Sequence, residues 1–306
     1  MNFGHLAVFD AVARTLSVSR AAELLMVSQP AVSKQLAQLE KSMKTVLVDR
    51  LPRGVRLTAA GELLAHYAKR IFATADEAER AIAELAGVSR GRLIVAATPT
   101  IGVYWLPAIL VKYRRAFPGV EMRMEIHPTI TIAQLLLERI VDVGLAESLV
   151  DDPAVESRVF RRDRMVAITA RGTALSRKPR ISAEELCRQP FVVREVGSGT
   201  KSLVERALAQ RGLQITPAMS LGSTEAIKRA VMEGVGVAMV SQLAVGMELA
   251  AGKLIEVKVK GMVVERELYL LRARGRSESA AVSAFLRMVA GTDIKLRNMR
   301  STREKF

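Results

Sequence analysis

The hydrophobic period of this chain changes once, near Gly87–Gly91, and the change dictates a two-part architecture. Before it, apolar residues recur at spacings of three and four, the signature of amphipathic helices. After it, short apolar runs alternate with helical stretches. One core cannot serve both patterns, and 306 residues exceed one ordinary domain. The fold class is therefore α/β overall. An all-α N-terminal part precedes a C-terminal part in which strands alternate with helices, predicting a mostly parallel, helix-covered sheet in two lobes.

In the N-terminal part Leu6, Phe9, Ala13 and Leu16 predict a first helix. Ser17 or Ser19 can cap a second, Arg20–Leu25. Ser28 can cap a third, from Gln29 to about Lys41, with Pro30 in the first turn, where its missing N–H costs nothing. Val32, Leu36 and Leu39 form its buried stripe. Pro52-Arg53-Gly54 marks a turn between two extended pieces. Thr58 can then cap a long helix from Ala59 to about Gly87. Its seam is Leu64, Ala68, Ile71, Ala75, Ala78, Ile82 and Leu85. Such a helix needs a cover for its seam. A second copy of itself is the simplest, which predicts a homodimer or homotetramer; packing on its own domain is the alternative.

Beyond the hinge, Arg92–Thr98, Val120–Ile126, Val141–Ala146, Met165–Thr169, Phe191–Arg194, Val237–Ser241 and Leu268–Arg272 read as strands. Leu106–Phe117, Ile132–Ile140, Ser202–Arg211, Glu225–Glu233, Gln242–Ala250 and Glu278–Val289 read as helices.

The sharpest motif is Ser17–Arg50, two short helices joined by a tight turn: a helix-turn-helix. The second helix of such a unit enters the DNA major groove, and its first residues reach base edges. Gln29, Ser33 and Lys34 point away from the apolar stripe. Gln can bind adenine with two hydrogen bonds, Lys can reach guanine or phosphate, and Ser can contact either. Ser28 and Pro30 open the helix, whose N-terminus favours a phosphate. A solvated polar face on an ordinary bundle is the competing reading.

Residues 3–61 resemble the N-terminal domain of LysR-type transcriptional regulators. The resemblance rests on Ser17, Ala21-Ala22, Leu25, the run Ser28-Gln29-Pro30-Ala31-Val32-Ser33, Gln35, Leu39-Glu40, Leu47, Arg50 and Leu57-Thr58-x-Ala60-Gly61. It implies a winged helix-turn-helix with Arg50, Arg53 and Arg56 on or near the wing, where arginine contacts phosphate or enters a narrow minor groove. Two departures stand out. Met43-Lys44 replaces the family's usual Leu-Gly, and Leu47-Val48 its Leu-Phe, which puts the turn after the third helix in question.

Residues 91–292 resemble the same family's effector domain, built like a two-lobed (type 2) periplasmic binding protein. The domains expected are 1–58 for DNA, 59–90 for the linker helix and hinge, 91–292 for the effector, and a basic tail at 293–306. Ligands of open parallel sheets bind at the carboxyl ends of strands. Loops meeting that condition carry Thr98, Pro99, Thr100 and Ile101; Thr129; Gly197, Ser198, Gly199 and Thr200; and Ser223 and Thr224. Hydroxyls and free N–H groups at helix starts suit a carboxylate or other small anion. Helix capping is the competing role for each Ser and Thr.

With 46 Lys and Arg against 31 Asp and Glu, the formal net charge is +15, which favours anionic partners. Residues 1–90 hold 12 basic and 9 acidic side chains, only +3 of that total, so the excess is not focused on the DNA-reading segment. The single cysteine, Cys187, allows no internal disulfide, and fits a reducing cytoplasm. No uncharged apolar run reaches the ~18 residues that span a bilayer. Enzyme signatures fail: Gly197–Ser202 lacks phosphate-loop spacing, Ser198-x-x-Lys201 lacks the motifs that accompany a serine–lysine pair, and His5, His66 and His127 have no metal-ligand spacing. The reading is a cytoplasmic, sequence-specific regulator without catalytic residues, metal or cofactor. It binds double-stranded DNA at a promoter pseudo-palindrome and answers to a small-molecule effector. A cytoplasmic solute-binding protein and an architectural DNA-binding protein are the alternatives.

Overall fold

The computed structural model describes residues 2–52, 54–84 and 91–303. The chain divides into two compact units, one built on residues up to Ala86 and one on the chain from Gly87 onward.

The first unit contains α1 (Phe3–Thr15), α2 (Val18–Leu25), α3 (Gln29–Met43), the strands β1 (Val48–Arg50) and β2 (Val55–Leu57), and α4 (Ala59–Glu84). Each early helix starts on a side-chain cap. Asn2 Oδ1 accepts from Gly4 N, Ser17 Oγ from Arg20 N and Ser28 Oγ from Ala31 N. Ser17, not Ser19, is thus the cap of α2. Leu6, Phe9 and Val12 of α1, Ala21 and Ala22 of α2, and Val32, Leu36 and Leu39 of α3 close one core with Leu47, Leu64 and Ala68.

Leu16 departs from the expected stripe: it is 50% exposed and ends α1 in the left-handed conformation. Met26 and Lys44 end α2 and α3 in the same way. Lys44, at φ 53°, occupies the position where the family's glycine was missed, and its N–H still reaches the Glu40 and Lys41 carbonyls. The turn after α3 is kept, and a lysine is forced into backbone space that favours glycine.

The α4 seam is divided. Leu64 and Ala68 are buried in their own domain, and Ile71 packs against it, whereas Ile82 is 70% exposed. The first turns of α4 therefore follow the alternative reading, packing on the same chain. Leu63 and Tyr67 on its other side are exposed, and Leu85 lies outside the described residues. Gly61 in the first turn admits no side chain, because a Cβ there would fall 2.0 Å from the Leu47 carbonyl oxygen.

The second unit runs β3 (Gly91–Ala97), α5 (Pro99–Tyr104), α6 (Leu106–Ala116), β4 (Val120–Ile126), α7 (Thr129–Leu137), β5 (Val143–Ala146), β6 (Val155–Ala170), α8 (Ala183–Cys187), β7 (Phe191–Arg194), α9 (Gly199–Ala209), β8 (Pro217–Leu221), α10 (Thr224–Met232), β9 (Val237–Ser241), α11 (Gly246–Ala250), β10 (Leu254–Val257), β11 (Val264–Ala273) and α12 (Ala280–Arg303). Helix α12 runs on into the segment expected as a separate basic tail.

The nine strands of this unit form one sheet in the order β4-β3-β5-β11-β6-β9-β7-β8, with β10 beside β6. The expectation of a mostly parallel sheet holds only at its two ends, where β3 pairs parallel with β4 and β5, and β7 with β8 and β9. The centre is antiparallel: β11 pairs with β5 and β6, and β6 with β9 and β10. The cause is connectivity. The 16-residue β6 carries the chain from the first lobe to the second and β11 carries it back, so the two must run oppositely.

The inner strands of each end are covered on both faces, which is why β3, β5, β7 and β9 read as almost continuous apolar runs. Leu93 and Val95 pack with Ile109, Tyr113 and Phe285, while Ile94 and Ala96 pack with Ile132 and Leu136. In the second lobe Phe191 and Val193 pack with Val204 and Leu208, and Val192 and Val240 with Ile227 and Val231.

Candidate functional site

In the first unit, α2 and α3 meet through a three-residue turn, Met26–Ser28, closed by Val27 N donating to the Ala22 carbonyl at 3.0 Å. The buried Ala21 and Ala22 let the two helices approach closely. Gln29, Pro30 and Lys34 are exposed on the first turns of α3, and Ser33 is half-buried beside them. Ser28 is committed to its cap, and Gln29 Oε1 accepts from Ser19 Oγ at 3.3 Å, which leaves the Gln29 amide N–H groups to face outward. β1 and β2 form an antiparallel hairpin with Asp49 opposite Arg56, and those two side chains pair at 3.0 Å. Arg50 is exposed, and Arg53 lies outside the described residues. The hairpin is fixed at its base: Val55 N donates to the Leu16 carbonyl, and Glu40 Oε1 accepts from Leu47 N and Val48 N. A reading helix and a wing are thus held by one small core.

In the second unit the predicted loops converge on an ionic group that the loop-based reading did not find. Arg266 of β11 is buried, and its Nε donates to Asp163 Oδ2 of β6 at 2.9 Å. Its Nη1 reaches Glu147 Oε2 at 2.8 Å and Thr200 Oγ1 at 3.2 Å, and its Nη2 reaches Thr100 Oγ1 at 3.3 Å. Thr100 stands on α5 of the first lobe and Thr200 on α9 of the second, so one guanidinium ties both lobes at the crossover strands. Ser241 Oγ donates to the other Asp163 oxygen at 2.7 Å. Burial pushes the Asp163 carboxyl above its ordinary value, against the pull of Arg266 and the Ser241 hydrogen bond. Glu147 Oε1 and Thr98 Oγ1 are buried without a partner.

The remaining predicted residues divide. Ser198 begins α9 with no side-chain cap bond, after Gly197 at φ +87°, and Gly199 is the first helical residue. Thr224 Oγ1 accepts from Arg194 Nη1 at 3.3 Å, while Arg194 also holds Glu195 through Nε and Nη2. Ser223 accepts from Ala226 N, so it serves as a cap. Thr129 Oγ1 accepts from Ser148 Oγ at 3.3 Å. Pro99 is exposed at the start of α5. The Ile101 side chain is fully buried in the hydrophobic core with Ile109 and Tyr113. A second tie joins the lobes at α5 and α10. Tyr104 Oη donates to Glu225 Oε1 at 2.7 Å, and the buried Lys228 ammonium lies 4.9 Å from the Tyr104 ring centre while binding Glu225 and Glu248.

Arg266, Asp163, Glu147 and Arg194 escaped the sequence reading because it followed hydroxyl-rich loops. A signal was present. Arg266 stands between Val264 and Leu268, and Asp163 two before Met165, each an ionisable group in the inward phase of an alternating strand.

A winged helix-turn-helix followed by two α/β lobes around a polar centre defines a DNA-binding regulator with a ligand-receiving domain. Residues 3–62 match the family described as bacterial regulatory helix-turn-helix protein, lysR family, and residues 86–292 match the LysR substrate binding domain. The chain belongs to the LysR family of transcriptional regulators. It is 36% identical over 284 residues to the RuBisCO operon transcriptional regulator of Allochromatium vinosum, covering 93% of this chain and 94% of that one. A full-length OxyR variant of Pseudomonas aeruginosa shares the fold at a TM-score of 0.71 and 22% identity, over 95% of this chain and 94% of that one. The regulatory domain of CcmR from Synechocystis PCC6803, solved in complex with 2-PG, matches at a TM-score of 0.60 and 25% identity, over 66% of this chain and 97% of that domain. Among the described residues no helix is long and apolar enough to cross a membrane.

Proposed function

We propose that this regulator binds, as a homodimer or homotetramer in the cytoplasm, a promoter pseudo-palindrome of a RuBisCO-type operon, and answers to a small phosphorylated or carboxylate metabolite held between its lobes. The Arg266 group carries this reading: a buried guanidinium sharing hydrogen bonds with Thr100 of one lobe and Thr200 of the other. An anion entering there competes with Glu147 and Asp163 for Arg266, and meets the Thr98, Thr100, Ser198 and Thr200 hydroxyls and the α9 N-terminus. The name of the A. vinosum relative supports the target, and the bound 2-PG of the CcmR domain supports the effector class. The functional division is 1–58 for DNA, 59–90 for the linker helix, 91–292 for the effector and 293–306 for the tail. Gln29, Ser33 and Lys34 read bases, while Ser28, Pro30, Arg50, Arg53 and Arg56 hold the backbone. Closure of the lobes on ligand alters the spacing of the reading heads.

The test is capture of fragmented genomic DNA by the purified protein at near-physiological salt, followed by sequencing. Enrichment of a few interrupted palindromes upstream of carbon-fixation genes is expected. On such a site Gln29→Ala should reduce discrimination by about 1–3 kcal/mol per lost base contact. Thr200→Val should keep DNA affinity and lose the response to 2-PG. Uniform capture would instead support an architectural protein.

A further inference from the structure

We infer a second ligand site, apart from the interlobe cleft, in the second lobe where β10 and β11 part on one edge of β6. β11 stays paired to β6 as far as Val264 opposite Met165, and β10 takes over from Val257 opposite Ala167. The intervening loop, residues 258–263, bridges the fork and leaves a cavity of about 270 Å³. Its floor is apolar, with the buried Met165 and Met239 and the half-buried Met262. Its other side carries Arg164, Arg180, Lys258 and Lys260 against Glu256 as the one acid among the lining residues. Glu256 is occupied by Arg164 at 2.8 Å. Arg180, Lys258 and Lys260 enter no described ion pair, so the cavity keeps an excess of three positive charges.

Backbone bonds hold those charges together. Ile181 N donates to the Lys258 carbonyl at 3.0 Å, and Lys260 N donates to the Ile181 carbonyl at 2.8 Å. This fastens the loop bearing Arg180 to the loop bearing both lysines. Arg211 of the α9 end donates to the Gly261 carbonyl at 2.8 Å and fixes the loop from a third direction. Like charges fixed side by side repel, and an anion relieves that repulsion. The volume lies just below the ~300–1,000 Å³ of drug-sized pockets, so the occupant is a compact metabolite with an apolar body and a carboxylate or phosphate head. Surface cations alone would bind a phosphate without regard to its body. The methionine floor is what demands an apolar part, and thioether groups adapt to its shape.

The three floor methionines supply the readout. Full-length protein carrying ¹³C-methyl methionine is titrated with phenyl phosphate, with benzoate and with inorganic phosphate, and followed by methyl NMR. Saturable shifts of Met165, Met239 and Met262 are expected with one or both aromatic anions, while Met122 and Met124 of the first lobe stay still. Whichever aromatic head binds more tightly identifies the anion. Inorganic phosphate should bind about tenfold more weakly than phenyl phosphate. The paired substitution Lys258→Gln and Lys260→Gln, exposed and without side-chain partners, should weaken the aromatic anions about tenfold without unfolding the lobe. Thr200→Val should leave them unchanged, which separates this site from the cleft. Unresponsive methionines at millimolar probe, shifts indifferent to the lysines, or shifts lost with Thr200→Val would each overturn the assignment.

Discussion

At the residue scale, Lys44 shows how a departure from family pattern is absorbed. A non-glycine residue in the left-handed region costs about 1–2 kcal/mol, partly offset by the smaller chain entropy lost relative to glycine. Lys44 is exposed, and its backbone keeps the capping bonds to Glu40 and Lys41. Lys44→Gly should therefore raise the stability of the DNA-binding unit by about 0.5–1 kcal/mol, read as a higher urea midpoint at constant slope. An unchanged or lower midpoint would mean that the lysine side chain compensates. The same scale explains Cys187. Burial, with Glu184 nearby, pushes its thiol above the ordinary range, so it remains protonated and unreactive at neutral pH.

At the element scale, α4 is the informative helix. Its first half is consumed by the core of its own unit, through Leu64 and Ala68, while Ile82 stays exposed in the isolated chain. An apolar residue so exposed among the described residues gains a cover when a second chain packs on it. Ile82→Glu should shift the protein toward monomer in sedimentation velocity at micromolar concentration, with helix content unchanged. Retention of the parent assembly would place the contact between chains elsewhere. The sequence displayed the full seam but not its division, because periodicity reports which face is apolar and not which neighbour covers it. β8 and β10 went unread for a related reason. Pro217–Leu221 is exposed over most of its length, and Leu254–Val257 is only four residues long, so neither shows a clear alternation.

At the scale of the effector domain, two polar ties span the lobes: Arg266 with Thr100 and Thr200, and Tyr104 with Glu225. Burial works against the Glu225 charge, but hydrogen bonds from Lys228 and Tyr104 outweigh it and hold its carboxyl below the ordinary 4.5. A depressed acid stabilises the fold fully above its unfolded value, and that contribution disappears as pH falls through the folded one. The stability difference between the parent and Glu225→Gln should thus be constant above about pH 5 and shrink below 4.5 in urea melts. A difference independent of pH down to about 3 would remove Glu225 from the tie.

The sequence alone determined what depends on local chemistry. The serine caps of α2 and α3, the stripe Val32/Leu36/Leu39, the hairpin turn and the two apolar lobes follow from spacing and capping, which act within a few residues. The reading turns of α3 were legible for the same reason. Tertiary structure decided what depends on distant partners. The antiparallel centre of the sheet arises because β6 and β11 cross between lobes in opposite senses. The Arg266–Asp163–Glu147 group joins residues more than a hundred positions apart, and the cavity beside Met165 exists only because β10 and β11 leave β6 at different points. Periodicity identifies which side of a strand is buried, but a buried charge is stable only once its partners are in place, and those partners are assigned by topology.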